Sequence, residues 1–174
     1  ALEVLADVLG GGAASRLHRA LVLDQSLATG AGAWYEASRY DLGRVMLQVN
    51  ARPDIGLDQL GDAATKVLET ALKDGITADE VERAKKRLIT GALYEEDSLR
   101  QPAEIIGRGL TTGQTLEDVD RWPAKIAAVS VDAVNKVAKE VFQGKTSVTG
   151  YLLPAQGGAI SPEEVAAPTS GEIR

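Results

Sequence analysis

The sequence predicts an α+β domain with two layers: an antiparallel sheet, and helices packed on one face of it. Three observations point there. The strand-like segments are grouped instead of alternating with helices, which disfavours a parallel βαβ arrangement. Helix-period apolar stripes with capping residues lie on both sides of that group. The length of 174 residues suits one domain, and such a domain buries roughly 70% of its unfolded surface without disulfides or metal.

Leu2, Leu5, Val8 and Leu9 recur at helical spacing, and Gly10-Gly11-Gly12 stops that amphipathic helix. Ser15 is placed to cap a second helix, with Ala14, Leu17 and Leu21 on its apolar side and an end near Gln25. Leu27 to Ala37 is rich in small residues and reads as a strand; Gly30 and Gly32 within it signal a bulge or the close approach of another backbone. Ser38-Arg39-Tyr40-Asp41 is a turn, and Val45, Leu47 and Val49 then alternate with polar or longer residues as a second strand. The two strands make an antiparallel hairpin.

Arg52-Pro53-Asp54 breaks the second strand, and a helix follows from Leu57 to Leu72, closed by Asp74-Gly75. Thr77 and Glu80 form a capping box ahead of a helix with Val81, Ala84, Leu88 and Ala92 on one stripe. Asp79-Arg83 and Glu82-Lys86 are ion pairs at i,i+4 spacing on that helix. Leu99 to Leu110 is helical, with Pro102 near its start and Thr111-Thr112-Gly113 ending it. Thr115 caps a short helix holding Val119 and Trp122, and Ser130 caps another carrying Val131, Val134, Val137, Ala138 and Val141. Lys145 to Leu153 reads as a last strand. From residue 155 the composition turns to Gly, Ala, Pro, Ser and Glu, so the expected organisation is a domain over 1–154 and a flexible tail over 155–174.

The chain has one histidine, His18, and no cysteine. Zinc sites draw chiefly on those two residue types, and Ser-His or Cys-His catalysis would have to use His18. A self-sufficient metallohydrolase or nucleophilic hydrolase is therefore disfavoured, and no metal or other cofactor is expected in this chain. The net charge of -6 argues against nucleic acid as a partner, as does an aromatic content of 4%. No stretch approaches the ~20 apolar residues of a membrane span. The opening Ala1-Leu2-Glu3-Val4-Leu5-Ala6 is no signal peptide; it reads as the interior of a helix, so the chain is expected to be a piece of a longer protein. Any targeting signal would lie on the missing part.

Gly10-Gly11-Gly12-Ala13-Ala14-Ser15 fails the dinucleotide pattern, since a helix precedes it and Ser holds the last position. It also lacks the Lys-Ser/Thr pair of a phosphate loop. It reads as a helix-to-helix turn that uses glycine's access to positive φ. His18, between Arg16 and Arg19, reads as a polar, partly exposed side chain. Glu95-Glu96-Asp97 lacks the spacing of a calcium loop and reads as a solvated helix face. Trp34-Tyr35 and Arg39-Tyr40 are residue types favoured in binding surfaces; register decides which of them face the core.

Several of these segments, taken in order, resemble the second half of the pitrilysin/insulinase-like zinc peptidases, the group that includes mitochondrial processing peptidase. They are Leu9-Gly10-Gly11-Gly12-Ala13-Ala14-Ser15-Arg16-Leu17, the small-residue strand, and Gly75-Ile76-Thr77-Ala78-Asp79-Glu80-Val81-Glu82-Arg83-Ala84-Lys85. The closing Ser147-Val148-Thr149-Gly150-Tyr151-Leu152-Leu153-Pro154 is similar to the end of that half in short bacterial members. The resemblance covers residues 1 to 154 and implies a two-layer α+β half of a clamshell around an extended peptide. It places zinc and the general base on an H-x-x-E-H helix of the other, N-terminal half, with a further Glu downstream. This chain contains no such motif. It also implies a weak substrate-contact set of Gly10, Gly11, Gly12 and Ser15. An Arg and a Tyr that hold substrate in many second halves align with Val22 and Thr29, so both groups are missing here. The resemblance thus implies a zinc-bearing parent paired with a second subunit that carries the Arg/Tyr pair. The resemblance implies a bacterial source but leaves the compartment unknown; it would be periplasmic if the missing N-terminus carried a signal peptide.

The function expected is a non-zinc domain that forms chamber wall and peptide surface and is inert alone. Two rivals are a structural core subunit of the same fold and a small-ligand or nucleotide module built on Gly10 to Gly12.

Overall fold

The computed structural model describes residues 1–143 and 147–153. Helix α1 (Leu2–Gly10) is the centre of the domain. The apolar spacing predicts an amphipathic helix, but Val4 to Leu9 are all buried, Val4, Leu5 and Leu9 completely. A helix buried on every side must be covered from more than one direction. Here the sheet lies on one side of α1, and helices α3 (Ala78–Glu96) and α7 (Val131–Phe142) lie on others.

Strands β1 (Ala28–Glu36) and β2 (Arg44–Ala51) form the antiparallel hairpin that the alternation predicts. The register pairs Ala31 with Val49, Ala33 with Leu47 and Tyr35 with Val45, and it slips between Ala28 and Gly30. Ala31, Ala33, Leu47 and Val49 pack against the core. The opposite face carries Trp34, Gln48 and Asn50, all exposed. Small side chains on the inner face of β1 let α1 come close. A Cβ built at Gly10 would lie 1.9 Å from the Ala33 amide nitrogen and 2.4 Å from the Gly32 carbonyl carbon. Both readings of the strand glycines are realised, the irregularity beside Gly30 and the backbone approach at Gly32.

The second helix departs from expectation. Ser15 does not cap it: its Oγ is buried and finds no partner among the described residues. After a single α-turn the chain continues as a π-helix over His18–Asp24, a form that is rare and usually a single turn. The wide turn closes with Gln25 N–H donating to the Ala20 carbonyl at 3.1 Å. Ser26 then takes φ 53°, and the chain reverses into β1. Leu17 and Leu21 remain fully buried, as the spacing assigns, but Ala14 is exposed in the turn ahead of the helix and takes no part in the apolar side.

Helix α2 (Leu57–Asp74) ends at Gly75, which has φ 78°. The Thr77–Glu80 capping box opens α3. Val81 and Ala84 are fully buried on its inner stripe, and Leu88 is half-buried against the core. Asp79 pairs with Arg83, but Glu82 pairs with Lys85 at 2.8 Å instead of Lys86; spacings of three and four both bring helical side chains together. Helix α4 (Gln101–Thr111) carries Pro102 in its first turn. The single short helix expected after Thr115 is two helices, α5 (Leu116–Asp120) and α6 (Trp122–Ala127). Pro123 has no amide proton to continue the first helix, and it is tolerated in the first turn of the second, so the break falls at Arg121. Thr115 and Asp118 form a second capping box, and the Ser130 hydroxyl accepts from Ala133 N–H to open α7.

The expected last strand is not a strand over Ser147–Leu153. A strand needs a neighbouring edge as well as propensity, and here Val148 and Leu152 are almost wholly exposed. Lys145 and the tail over 155–174 lie outside the described residues.

The close crossing gives a direct expectation. Gly10→Ala should lower unfolding stability in urea by about 2 kcal/mol or more, since the obstruction is backbone. Gly91→Ala, at an exposed position inside α3 with open space at its Cβ, should raise it by about 0.8 kcal/mol.

Candidate functional site

The glycine loop between α1 and the π-helix is fixed at both ends by α3. At its start, a Cβ on Gly11 would lie 2.0 Å from Asp7 Oδ1, so the Asp7 carboxylate fills the space beside that residue. Arg87 of α3 donates to Asp7 Oδ2 from Nε at 3.0 Å and from Nη2 at 2.5 Å. Burial pushes the Asp7 carboxyl up despite the opposing hydrogen bond and charge of Arg87. At the loop's exit, Arg16 grips Glu80 of α3 with Nε and Nη2, each at 2.7 Å, and donates from Nη2 to the Gly75 carbonyl at 2.7 Å. Glu80 also accepts from Thr77 N–H at 2.9 Å and from its hydroxyl at 2.8 Å. The Arg16 hydrogen bonds are the main reason that the Glu80 carboxyl falls to about 2.

Between these anchors Gly11, Gly12, Ala13 and Ala14 are exposed, and Gly12 has φ 142°. Gly10 is half-buried beneath β1, and Ser15 is 2% exposed. Gly10, Gly11 and Gly12 are thus glycines for three separate reasons: a backbone crossing, a carboxylate contact and a positive φ. Val22 packs half-buried against the core, and Thr29 is exposed with its hydroxyl donating to the Asn50 carbonyl at 3.3 Å.

His18 is half-buried, and its Nδ1 has no partner among the described residues. No group of three or more His, Cys, Asp or Glu among the described residues is placed to hold a metal ion. With one imidazole, no thiolate and Arg16 and Arg19 alongside His18, the donor set does not fit zinc. Glu95 and Asp97 are exposed.

Register settles the aromatic residues. Trp34, opposite Met46, belongs to the outer face, and Tyr35, opposite Val45, to the inner one. Trp34, Tyr35, Arg39 and Tyr40 line a cleft of about 660 Å³ with Glu3 of α1 and Arg108 of α4. Sequence reasoning reaches the four hairpin residues but not Glu3 or Arg108, which only folding brings there. Glu36 accepts from Arg39 at 2.6 Å and from Arg44 at 2.9 Å, and these two bonds, Arg44 first, hold its carboxyl below the usual range. Trp122 Nε1 donates to Glu3 at 2.7 Å, yet burial dominates and the Glu3 carboxyl is raised. A second cleft of about 690 Å³ lies between the π-helix and α2, lined by Arg19, Asp24, Lys66 and Thr70 among others.

Comparison with known proteins places this geometry in a family. Residues 1–88 match the family described as the peptidase M16 inactive domain. The chain belongs to that family. This M16 domain is 28% identical over 144 residues to the uncharacterized zinc protease YmxG of Bacillus subtilis strain 168, covering 81% of the chain and 34% of YmxG. The chain therefore spans about a third of that relative's length. Its fold matches the inactive peptidase domain of a candidate zinc protease from Bordetella parapertussis with a TM-score of 0.79 and 19% identity, over 92% of this chain and 84% of that one. A protease from Helicobacter pylori matches with a TM-score of 0.71 and 23% identity, over 81% of this chain and 33% of that one. The α+β architecture with helices on one face of the sheet is the one these structures share. The inactive-domain assignment makes this a non-catalytic unit; a free-standing nucleotide module and a structural core subunit are not favoured. No described helix is long and apolar enough to cross a membrane.

The pH behaviour of the loop anchor follows from Glu80. A carboxyl held near 2 in the fold, against its ordinary 4.5, adds stability that is complete above about pH 4.5 and is lost as the pH falls through about 2. Glu80→Gln should melt lower than the parent at pH 7, and calorimetry should find that gap narrowing between pH 4.5 and 2.

Proposed function

We propose that this M16 inactive domain forms chamber wall and peptide-contact surface in a bacterial zinc metalloendopeptidase, with the metal on the other half of the parent. The observation that carries the reading is the glycine loop. It exposes backbone over Gly11 to Ala14 while Asp7–Arg87 and Arg16–Glu80 hold its ends. Gly11 N–H already donates to the Asp7 carbonyl at 2.8 Å and the Gly12 carbonyl accepts from Ser15 N–H at 3.0 Å. An exposed, anchored backbone still suits contact with an extended peptide, because the groups that the turn does not use can take up the peptide's own. Gly11 and Gly12 form this contact segment, and Gly10, pressed against β1, sets where it starts. Ser15 is buried at the loop's end and closes the turn through its backbone N–H, which donates to the Gly12 carbonyl at 3.0 Å.

The domain works with partners: the N-terminal half of its own protein, bearing H-x-x-E-H and zinc, and a second subunit that provides the Arg and Tyr absent at Val22 and Thr29. Peptide is the substrate. The anchored loop contributes to binding, and the proton and nucleophile chemistry belongs to the other half.

Purified alone, the chain should cleave no unstructured protein substrate in the presence of zinc; zinc-dependent turnover that survives repurification and is lost with a chelator would overturn the reading. In the full-length parent, Ala13→Arg on the exposed loop should raise KM and leave kcat unchanged, with the melting temperature unmoved. A variant with unaltered KM would remove the loop from the substrate surface.

A further inference from the structure

The cleft at the end of the hairpin has no part in the loop's proposed role. Its walls combine two features. Trp34 is 42% exposed and Tyr40 is 91% exposed, in a chain with only 4% aromatic residues. Exposed Trp and Tyr present large apolar area with little side-chain entropy to lose on binding. The second feature is charge. Glu36 is shared between Arg39 and Arg44, so one carboxylate faces two guanidinium groups. Arg108 forms no ion pair among the described residues, while Glu104 on the same helix pairs with Arg100, the residue just before the helix, at 2.5 Å. Glu3 is held by the Trp122 indole. Arg39, Arg108, Glu3 and Glu36 line the cleft and Arg44 stands behind Glu36, so three guanidinium groups meet two carboxylates beside the aromatic rings, and Arg108 is the guanidinium left without an ion pair among the described residues.

Guanidinium matches a carboxylate in shape as well as charge, through two parallel N–H···O bonds. We propose that this cleft binds a peptide carboxylate with an aromatic or apolar side chain next to it. Arg108 takes the carboxylate, and Trp34 and Tyr40 take the adjacent side chain. The inference rests on the peptide-contact reading above and narrows it to acidic peptides or to peptide C-termini.

Calorimetric titration of the 174-residue chain with three peptides tests it: acetyl-Ala-Phe-Glu-Ala-amide, its Gln analogue, and acetyl-Ala-Ala-Phe with a free carboxylate. At least one carboxylate peptide should bind saturably, and the Gln analogue should bind about tenfold more weakly. Binding of the Glu peptide alone assigns the site to acidic side chains, and of the free-acid peptide alone to C-termini. Arg108→Ala and Arg108→Glu should abolish the preference, Arg108→Lys should keep part of it, and added salt should weaken it. Equal affinity for the Glu and Gln peptides, with the free-acid peptide no tighter, or a preference unchanged in both Arg108 variants, overturns the cleft assignment and leaves the chamber-wall reading intact. The absence of binding by any of the three overturns this inference and also counts against a peptide surface on the isolated domain.

Discussion

The crossing of α1 over β1 at Gly10 constrains everything around it. Backbone meets backbone there, with no space for a Cβ. That contact requires small residues along β1, and the strand supplies Ala28, Gly30, Ala31, Gly32 and Ala33. It also draws α1 so far into the molecule that no side remains for solvent. A helix in that position cannot carry an unpartnered charge, because desolvation of an isolated carboxylate is costly. Asp7 is tolerated because Arg87 reaches it from α3.

Helix α3 then becomes the clamp for the loop that follows. Glu80 and Arg87 lie about two turns apart on the same side of it, with Val81 and Ala84 buried between them. The polarity reverses along the clamp. At one end α3 supplies the cation for Asp7, and at the other it supplies the anion for Arg16. Glu80 has two duties, closing the N-terminus of α3 through Thr77 and receiving Arg16. Helix start and loop anchor therefore share one carboxylate, and protonating it weakens both.

The surface that results suits a partner role. The loop offers backbone, the hairpin end offers aromatic and guanidinium groups, and the described residues offer no set of donors for a metal ion.

The sequence by itself determined what is local. Both capping boxes, the hairpin with its inward Leu47 and Val49, the glycine stop after α1 and the start of α7 at Ser130 each depend on residues within a turn or a strand pair. Spacing also exposes the glycine run as a turn. Tertiary structure alone decided the rest. The burial of α1 on all sides, the buried hydroxyl of Ser15 and the π-helical path after it are set by what packs against them, not by neighbours in sequence. The segment over Ser147–Leu153 has strand composition but no described edge to join. Arg16 with Glu80, Asp7 with Arg87, and Arg108 beside Trp34 unite residues that are tens of positions apart. Periodicity carries no information about such pairs, because chain reversal, not local propensity, sets which side chains meet.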